Sequence, residues 1–503
     1  MRYISTRGGD YRYSSAEAIR AGIAPNGGLF VPESIPRLTS QDIQDLMEMD
    51  YPRRAATVLS RYLTDFSFDE LLEYTNLAYG EDKFDAFPAK VTQLNPYNKT
   101  AFMLELWHGP TSAFKDMALQ LLPYLMTAAA RKLGEDKEIC ILTATSGDTG
   151  KAALEGFKDV PNTRVIVFYP HNGVSKIQYL QMATQTGDNC HVIAVKGSFD
   201  DTQSGVKTIF NDEAFCEQLE ANHQVLSSAN SINWGRLVPQ IAYYVSTYAD
   251  LLKGEFIEPG EAFNIVVPTG NFGNILAAWY ALQMGVPIGK LVCASNRNKI
   301  LSDFLRSGTY DRNRPFFMTN SPSMDILISS NLERLLFELT DHDAAQVATW
   351  MEALQNEGVY DIDDQTRKRI QTMFVGGFCD ERGTIHTISD VYETFDHVVD
   401  THTAVGFNVY QRYAKRSQDH RVVVFVSTAS PFKFAGEVAK GIFEGDVDDS
   451  LDEQALMELL AEESDMLIPA GLNCLVERPI LHDTVIEKEE MKETIEAILD
   501  VNS

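Results

Sequence analysis

Two places in this sequence could do covalent and anion-binding chemistry: a lysine at the head of a helix, and a glycine-rich turn after a strand. The lysine is Lys115, in the run Trp107-His108-Gly109-Pro110-Thr111-Ser112-Ala113-Phe114-Lys115-Asp116. It follows a Gly-Pro turn and opens an apolar run, Met117 to Met126, whose spacing predicts a helix. The turn is Thr269-Gly270-Asn271-Phe272-Gly273-Asn274. It follows the apolar strand candidate Phe263 to Val267 and enters a helix. Backbone N–H groups at such a helix start point outward and bind phosphate. An amine forms a Schiff base with an aldehyde. Pyridoxal phosphate carries an aldehyde and a phosphate, so it needs both elements. Taken alone, the glycine turn also reads as a tight entry into a helix.

Other turns add polar groups. Thr143-Ala144-Thr145-Ser146-Gly147-Asp148-Thr149-Gly150-Lys151 lies between a strand and a helix, and its hydroxyls and N–H groups can cradle a carboxylate or phosphate. It is not a P-loop: Gly147 and Gly150 are too close, and Ala152 follows Lys151. The Gly270 turn lacks GxGxxG spacing, which argues against a dinucleotide fold. Asn230-Ser231-Ile232-Asn233-Trp234-Gly235-Arg236 precedes the apolar helix Leu237 to Leu252. Arg236 stands in a first helical turn and reads either as a water-facing arginine or, because the dipole there disfavours a cation, as a partner for an anionic ligand. His402, in Asp400-Thr401-His402-Thr403-Ala404-Val405-Gly406, has no partner at metal spacing and reads as a structural histidine or a pocket wall. Ser427-Thr428-Ala429-Ser430-Pro431 closes a last strand. It reads either as a strand-end cap or as a hydroxyl facing a pyridine nitrogen.

These turns need a scaffold. The 503 residues suffice for two or three domains. From about residue 137, short apolar strands alternate with helices, which means parallel sheets covered by helices. Strand candidates are Glu138–Leu142, Arg164–Phe168, His191–Val195, Val225–Ser228, Phe263–Val267, Leu291–Ala294 and Arg421–Val426. Residues 1–95 are expected to form an N-terminal helical domain, with a capping box at Ser67 and Glu70. Residues 96–136 carry the lysine, 137–235 form a smaller α/β domain, and 236–503 a larger one with a helical insertion at about 310–400. The acidic stretch Asp446 to Asp465 reads as a solvated amphipathic helix.

Composition narrows the partners. The net charge is −28, from 43 basic and 71 acidic residues, which disfavours nucleic acid. Six scattered cysteines without a CxxC pair speak against a zinc site and for buried thiols in a reducing compartment. The N-terminus lacks an apolar signal core, and no apolar run approaches the roughly 18–20 residues of a membrane span. A cytoplasmic protein with neither a metal nor a membrane is expected. A monomer and a homodimer stand equally open.

In this order and spacing, the motifs together resemble threonine synthase of the longer microbial and fungal type. The marks are Gly27 to Pro32, His108 to Asp116, Thr143 to Gly150, Ser231-Ile232-Asn233, Gly270 to Asn274, Ser321-Pro322-Ser323-Met324-Asp325, His402 to Gly406 and Ser427-Thr428-Ala429. They cover nearly the whole chain. The resemblance implies an α/β protein of pyridoxal-phosphate fold type II, the tryptophan-synthase β group. Two parallel-sheet domains flanked by helices would join an N-terminal helical domain. By the same resemblance Lys115 binds the cofactor covalently, Gly270, Asn271, Phe272, Gly273 and Asn274 hold its phosphate, and Thr428 faces its pyridine nitrogen. Thr145, Ser146, Asp148 and Thr149 would receive the α-carboxylate of the substrate, and Asn230, Ser231 and Arg236, with Thr149, its phosphate. Asp148 stands where relatives often have Asn, and Ser430 where they often have His.

The implied activity is a pyridoxal-phosphate-dependent carbon–oxygen lyase acting on a phosphate. It would convert O-phospho-L-homoserine and water to L-threonine and phosphate. A phospho-lyase related to threonine synthase, releasing a keto acid, is the near alternative. A serine or threonine deaminase and a non-catalytic binding relative stand further off.

Overall fold

The computed structural model describes residues 1–84, 87–95, 98–448 and 450–501. Two sheets organise the chain. The smaller has five parallel strands in the order Val485–Glu487, Cys190–Lys196, Thr163–Pro170, Glu138–Ala144 and Gln224–Ser227. The larger has six, in the order Phe374–Phe378, Ile288–Ser295, Phe263–Pro268, Val423–Ser427, Asn98–Glu105 and Lys90–Asn95. Only its last pair is antiparallel. Every residue of Phe263–Pro268 and of Val423–Ser427 is buried. That is why these strands read as unbroken apolar runs: helices cover both faces of the sheet.

This architecture positions the chemistry. The Thr145 turn follows Glu138–Ala144, and the Asn230 turn follows Gln224–Ser227. The Gly270 turn follows Phe263–Pro268, Thr428 follows Val423–Ser427, and the Lys115 segment follows Asn98–Glu105. All five leave the carboxyl ends of parallel-sheet strands, where open α/β sheets bind ligands.

The N-terminal region contributes the helices Ser15–Ala21, Ser40–Met47, Tyr51–Tyr62 and Phe68–Ala78. The capping box at Ser67 forms: its hydroxyl accepts the Glu70 N–H at 3.2 Å, and the Glu70 carboxylate accepts the Ser67 N–H at 2.7 Å. The region is not purely helical, because Tyr3–Ser5 pairs antiparallel with Phe30–Pro32. Tyr3 and Tyr62 pack on the ring of Trp234. The N-terminal region is thereby fixed to the helix Trp234–Lys253, the one that carries Arg236.

Four expectations need correction. The apolar run after Lys115 breaks into two helices, Asp116–Leu119 and Leu122–Leu133. Pro123 has no N–H to continue the first helix and instead sits in the first turn of the second. The insertion at about 310–400 is not only helical. It holds the antiparallel pair Thr309–Asp311 and Val359–Asp361, and it delivers the edge strand Phe374–Phe378 of the larger sheet. The end of the 236–503 segment leaves the larger sheet, since Val485–Glu487 pairs with Cys190–Lys196. The acidic stretch is helical only over Glu453–Ser464. Asp449 within it, and Pro96 at the expected first boundary, lie outside the described residues.

Candidate active site

Lys115 is held by its own turn and by a distant strand end. The Ser112 N–H donates to the Gly109 carbonyl at 3.0 Å, and Ser112 takes the left-handed conformation, φ 58°. The Asp116 carboxylate folds back on this turn, accepting the Thr111 N–H and hydroxyl, each at 2.8 Å. Burial pushes the Asp116 carboxyl up to about 6. The Phe114 N–H donates to the Thr428 carbonyl at 2.8 Å, and the Ser430 N–H to the Ser112 carbonyl at 3.0 Å. Two motifs more than three hundred residues apart are thus stapled together by backbone. The Thr428 hydroxyl makes no hydrogen bond among the described residues, so it remains free to meet a ligand.

The Lys115 amine lies 3.6 Å from Asp148 Oδ2. Burial lowers its pKa to about 8; Asp148 opposes that shift, while Arg236 and Lys433 add to it. A buried lysine titrating there is matched to proton transfer near neutral pH.

The Asp148 side chain is already engaged by its neighbours. Burial alone would raise its pKa, but Lys433 and Lys115 hold it well below the usual carboxylate range. Lys433 Nζ is 2.8 Å from Oδ1, Gln178 Nε2 donates to Oδ1 at 3.0 Å, and Ser323 Oγ donates to Oδ2 at 2.9 Å. An ionised side chain repels a second carboxylate, so Asp148 serves the lysines as their counter-ion. Thr145 also turns inward: its Oγ1 accepts the Gly147 N–H at 3.0 Å and the Gly150 N–H at 2.9 Å. Ser146 and Thr149 fit better. Their hydroxyls and N–H groups, with the Asp148 N–H, meet no partner among the described residues and crown the helix Asp148–Phe157. Gly147, with φ 135°, makes this entry possible, because a Cβ there would lie 2.3 Å from Gln178 Cδ.

At the Gly270 turn, the N–H groups of Gly270, Asn271, Phe272, Gly273 and Asn274 find no acceptor among the described residues. The carbonyls face the other way. Gly270 O accepts Ser329 Oγ at 2.9 Å, and Asn271 O accepts the Asn331 N–H at 3.1 Å and Nδ2 at 3.0 Å. Phe272 is left-handed, φ 64°, with a buried ring. Asn274 Oδ1 is taken by the hydroxyls of Tyr243 and Tyr244, which leaves its buried Nδ2 without a partner. Five open N–H donors and one unspent amide at a helix start fit a phosphate.

Arg236 is buried, and its guanidinium donates to the Ala229 carbonyl at 2.8 Å. It pairs with no carboxylate among the described residues, and burial lowers its pKa to about 10. A buried guanidinium without a counter-ion is costly unless an anion joins it. Ser231 Oγ lies 3.4 Å from Ser330 Oγ, and the Asn230 side chain is half-buried without a partner.

Three further side chains support the site, and only the first went unmarked in the sequence. Lys433 follows Ser430 in a short turn and carries no motif mark. Ser323 ties the two halves of the site together: a Cβ on Gly270 would lie 2.6 Å from its carbonyl oxygen, while its hydroxyl holds Asp148. His402 supports that loop, accepting the Ser323 N–H at 3.1 Å on Nε2 while Nδ1 donates to Asp400 at 2.9 Å. A cavity of about 1190 Å³ lies elsewhere, between the helices Glu381–Phe395 and Ala435–Ile442, and includes none of these residues.

Comparison with known proteins decides the family. Residues 2–79 match the family described as "Threonine synthase N terminus", 90–428 "Pyridoxal-phosphate dependent enzyme", and 403–478 "Threonine synthase, C-terminal". The threonine synthase of Pseudomonas aeruginosa is 39% identical over 444 residues, spanning 88% of this chain and 90% of that protein. This chain belongs to the threonine synthase family of pyridoxal-phosphate-dependent enzymes. Human threonine synthase-like 1 is 37% identical over 492 residues, which is 96% of this chain but 63% of that protein. The chain therefore spans under two thirds of the length of such relatives. The crystal structure of pyridoxal-phosphate-bound threonine synthase from Brucella melitensis superposes with a TM-score of 0.87 at 35% identity, covering 100% of this chain and 99% of that one. Threonine synthase from yeast gives 0.87 at 32% identity, covering 99% of each chain. The threonine synthase family fold explains why five strand ends converge on Lys115. Among the described residues, no helix is long and apolar enough to cross a membrane.

Proposed function

We propose that this chain is a threonine synthase, converting O-phospho-L-homoserine and water to L-threonine and phosphate by γ-elimination followed by addition of water at Cβ. The observation that carries this reading is Arg236, a buried cation with no carboxylate partner among the described residues, whose charge is felt at Lys115. A phosphorylated substrate supplies the missing anion. Bound pyridoxal phosphate supplies the electron sink that acidifies the protons at Cα and Cβ.

The chain's own residues do the rest. Lys115 would hold the cofactor, and as a free amine it takes the Cα proton and returns protons along the substrate. Its lowered pKa lets it act as base and then as acid. The N–H groups of Gly270 to Asn274 would hold the cofactor phosphate, and the Thr428 hydroxyl would be available to its ring nitrogen. Ser146, Thr149 and the open N–H groups beside them receive the substrate carboxylate, with Thr145 shaping that turn. Arg236, Ser231 and Asn230, with Thr149, grip the leaving phosphate and stabilise the charge that grows on it. A cytoplasmic setting belongs to the same reading, supported by six cysteines free of disulfides.

A second reading is a phospho-lyase that eliminates phosphate and releases a keto acid. Its support is the likeness to proteins named threonine synthase-like 1 across nearly the whole chain. Both readings need Arg236. Replacing it, Arg236→Leu, is expected to raise KM for O-phospho-L-homoserine about a hundredfold while the visible absorbance of bound cofactor stays intact, because a charge-assisted contact to phosphate contributes about 2–3 kcal/mol. Equal loss of cofactor and substrate would place Arg236 at the cofactor instead.

A further inference from the structure

Lys433 is wholly shut from water, in the turn Pro431–Phe434. A buried ammonium is tolerated only when paired. Its Nζ lies 2.8 Å from Asp148 Oδ1 and donates to the Thr111 carbonyl at 3.0 Å. Lys115 stands 3.6 Å from the other oxygen of the same carboxylate. One buried acid therefore faces two lysines, and the nearer is not the one at the head of the catalytic segment. Gln178 and Ser323 take up further lone pairs of that carboxylate. An amine locked in an ion pair is a poor base, so it matters which lysine the acid belongs to.

We propose that Lys433 is a positioning residue which claims Asp148 as its own partner, leaving Lys115 a free amine able to move protons. This rests on the reading of Lys115 as the cofactor lysine. The charges facing Lys115 come from three elements: Asp148 on the helix Asp148–Phe157, Arg236 on the helix Trp234–Lys253, and Lys433 itself. Those facing Lys433 are Asp148 and Asp116. Removing Lys433 takes away one of two repelling cations and leaves Asp148 to Lys115 alone. Both changes hold the proton on Lys115. A merely structural role, tying its turn to Thr111, would leave the Lys115 amine unchanged.

The test reads the amine directly. Trace acetylation with acetic anhydride is followed across pH on the full chain stripped of cofactor. Lys115 is compared by mass spectrometry with exposed Lys415, and far-UV circular dichroism checks the fold. Lys433→Met is expected to raise the Lys115 midpoint by about one pH unit or more, and hence to cut its neutral fraction at neutral pH about tenfold. Lys433→Arg, which keeps the cation, is expected to leave it in place. A midpoint unmoved by Lys433→Met overturns the proposal. Should that variant fail to fold, Asp148→Asn provides the second test: it is expected to lower the midpoint by about one unit or more, and no shift there overturns the proposal as well. Failure of the underlying reading shows separately. Borohydride reduction of the wild-type holoenzyme should fix the cofactor on the Lys115 peptide, and label on another lysine overturns that reading whatever Lys433 does.

Discussion

Gly156 packs against the carbonyl of Leu119 so closely that a Cβ would lie 2.0 Å from the oxygen. The contact joins the helix after Lys115 to the helix headed by Asp148. Pro123 explains why that carbonyl is available, since the residue four positions on has no N–H to offer it. Gly156→Ala is expected to push the two helices apart, costing about 1–3 kcal/mol of stability and at least tenfold in turnover. Gly436→Ala is the control, because its Cβ would meet only Leu456 Cδ1, at 3.8 Å. Thermal melting and steady-state rates on both variants check this, and equal behaviour of the two would contradict the packing account.

Arg334 ties the N-terminal region to the site. It is fully buried, and donates to the Phe30 carbonyl at 2.9 Å, to the Ile232 carbonyl at 2.6 Å and to Asn331 Oδ1 at 2.5 Å. Asn331 in turn holds the Asn271 carbonyl. Arg334→Met strands three acceptors, two of them buried, and is expected to lower unfolding free energy by about 3 kcal/mol, read from urea midpoints. Arg334→Lys should rescue little, because one ammonium cannot reach three directions.

Lys115→Ala is expected to abolish turnover while circular dichroism and melting stay near wild type. Retained turnover would remove the central base and cofactor link from the account.

Asp148 gives a pH dependence with a defined sign. Its folded pKa lies below the unfolded value, so its contribution is present above about 3.8 and is lost as pH falls through the folded pKa. In urea titrations between about pH 5 and pH 3, the wild type should lose stability more steeply than Asp148→Asn. Parallel pH profiles would mean that the carboxylate is not held ionised.

The sequence made the strand–helix alternation legible because buried parallel strands are unbroken apolar runs, as in Phe263–Pro268. The edge strand Phe374–Phe378 escaped because Gly376 and Gly377 remove its side-chain signal. Val485–Glu487 is three residues long and pairs with a strand almost three hundred residues earlier, so nothing local marks it. In the site, Lys115 and the Gly270 turn were visible as residue types at helix starts. Lys433 was not, because a lysine between two phenylalanines looks the same whether it faces water or a buried acid. Asp148 stood out in the sequence, but the surroundings of its side chain depend on Lys433 and Ser323, which only the fold brings to it.

The most direct measurement is the ratio of L-threonine formed to phosphate released from O-phospho-L-homoserine by the purified holoenzyme. One threonine is expected for each phosphate. Phosphate accompanied by a keto acid, or no phosphate from protein that carries its cofactor, would contradict it.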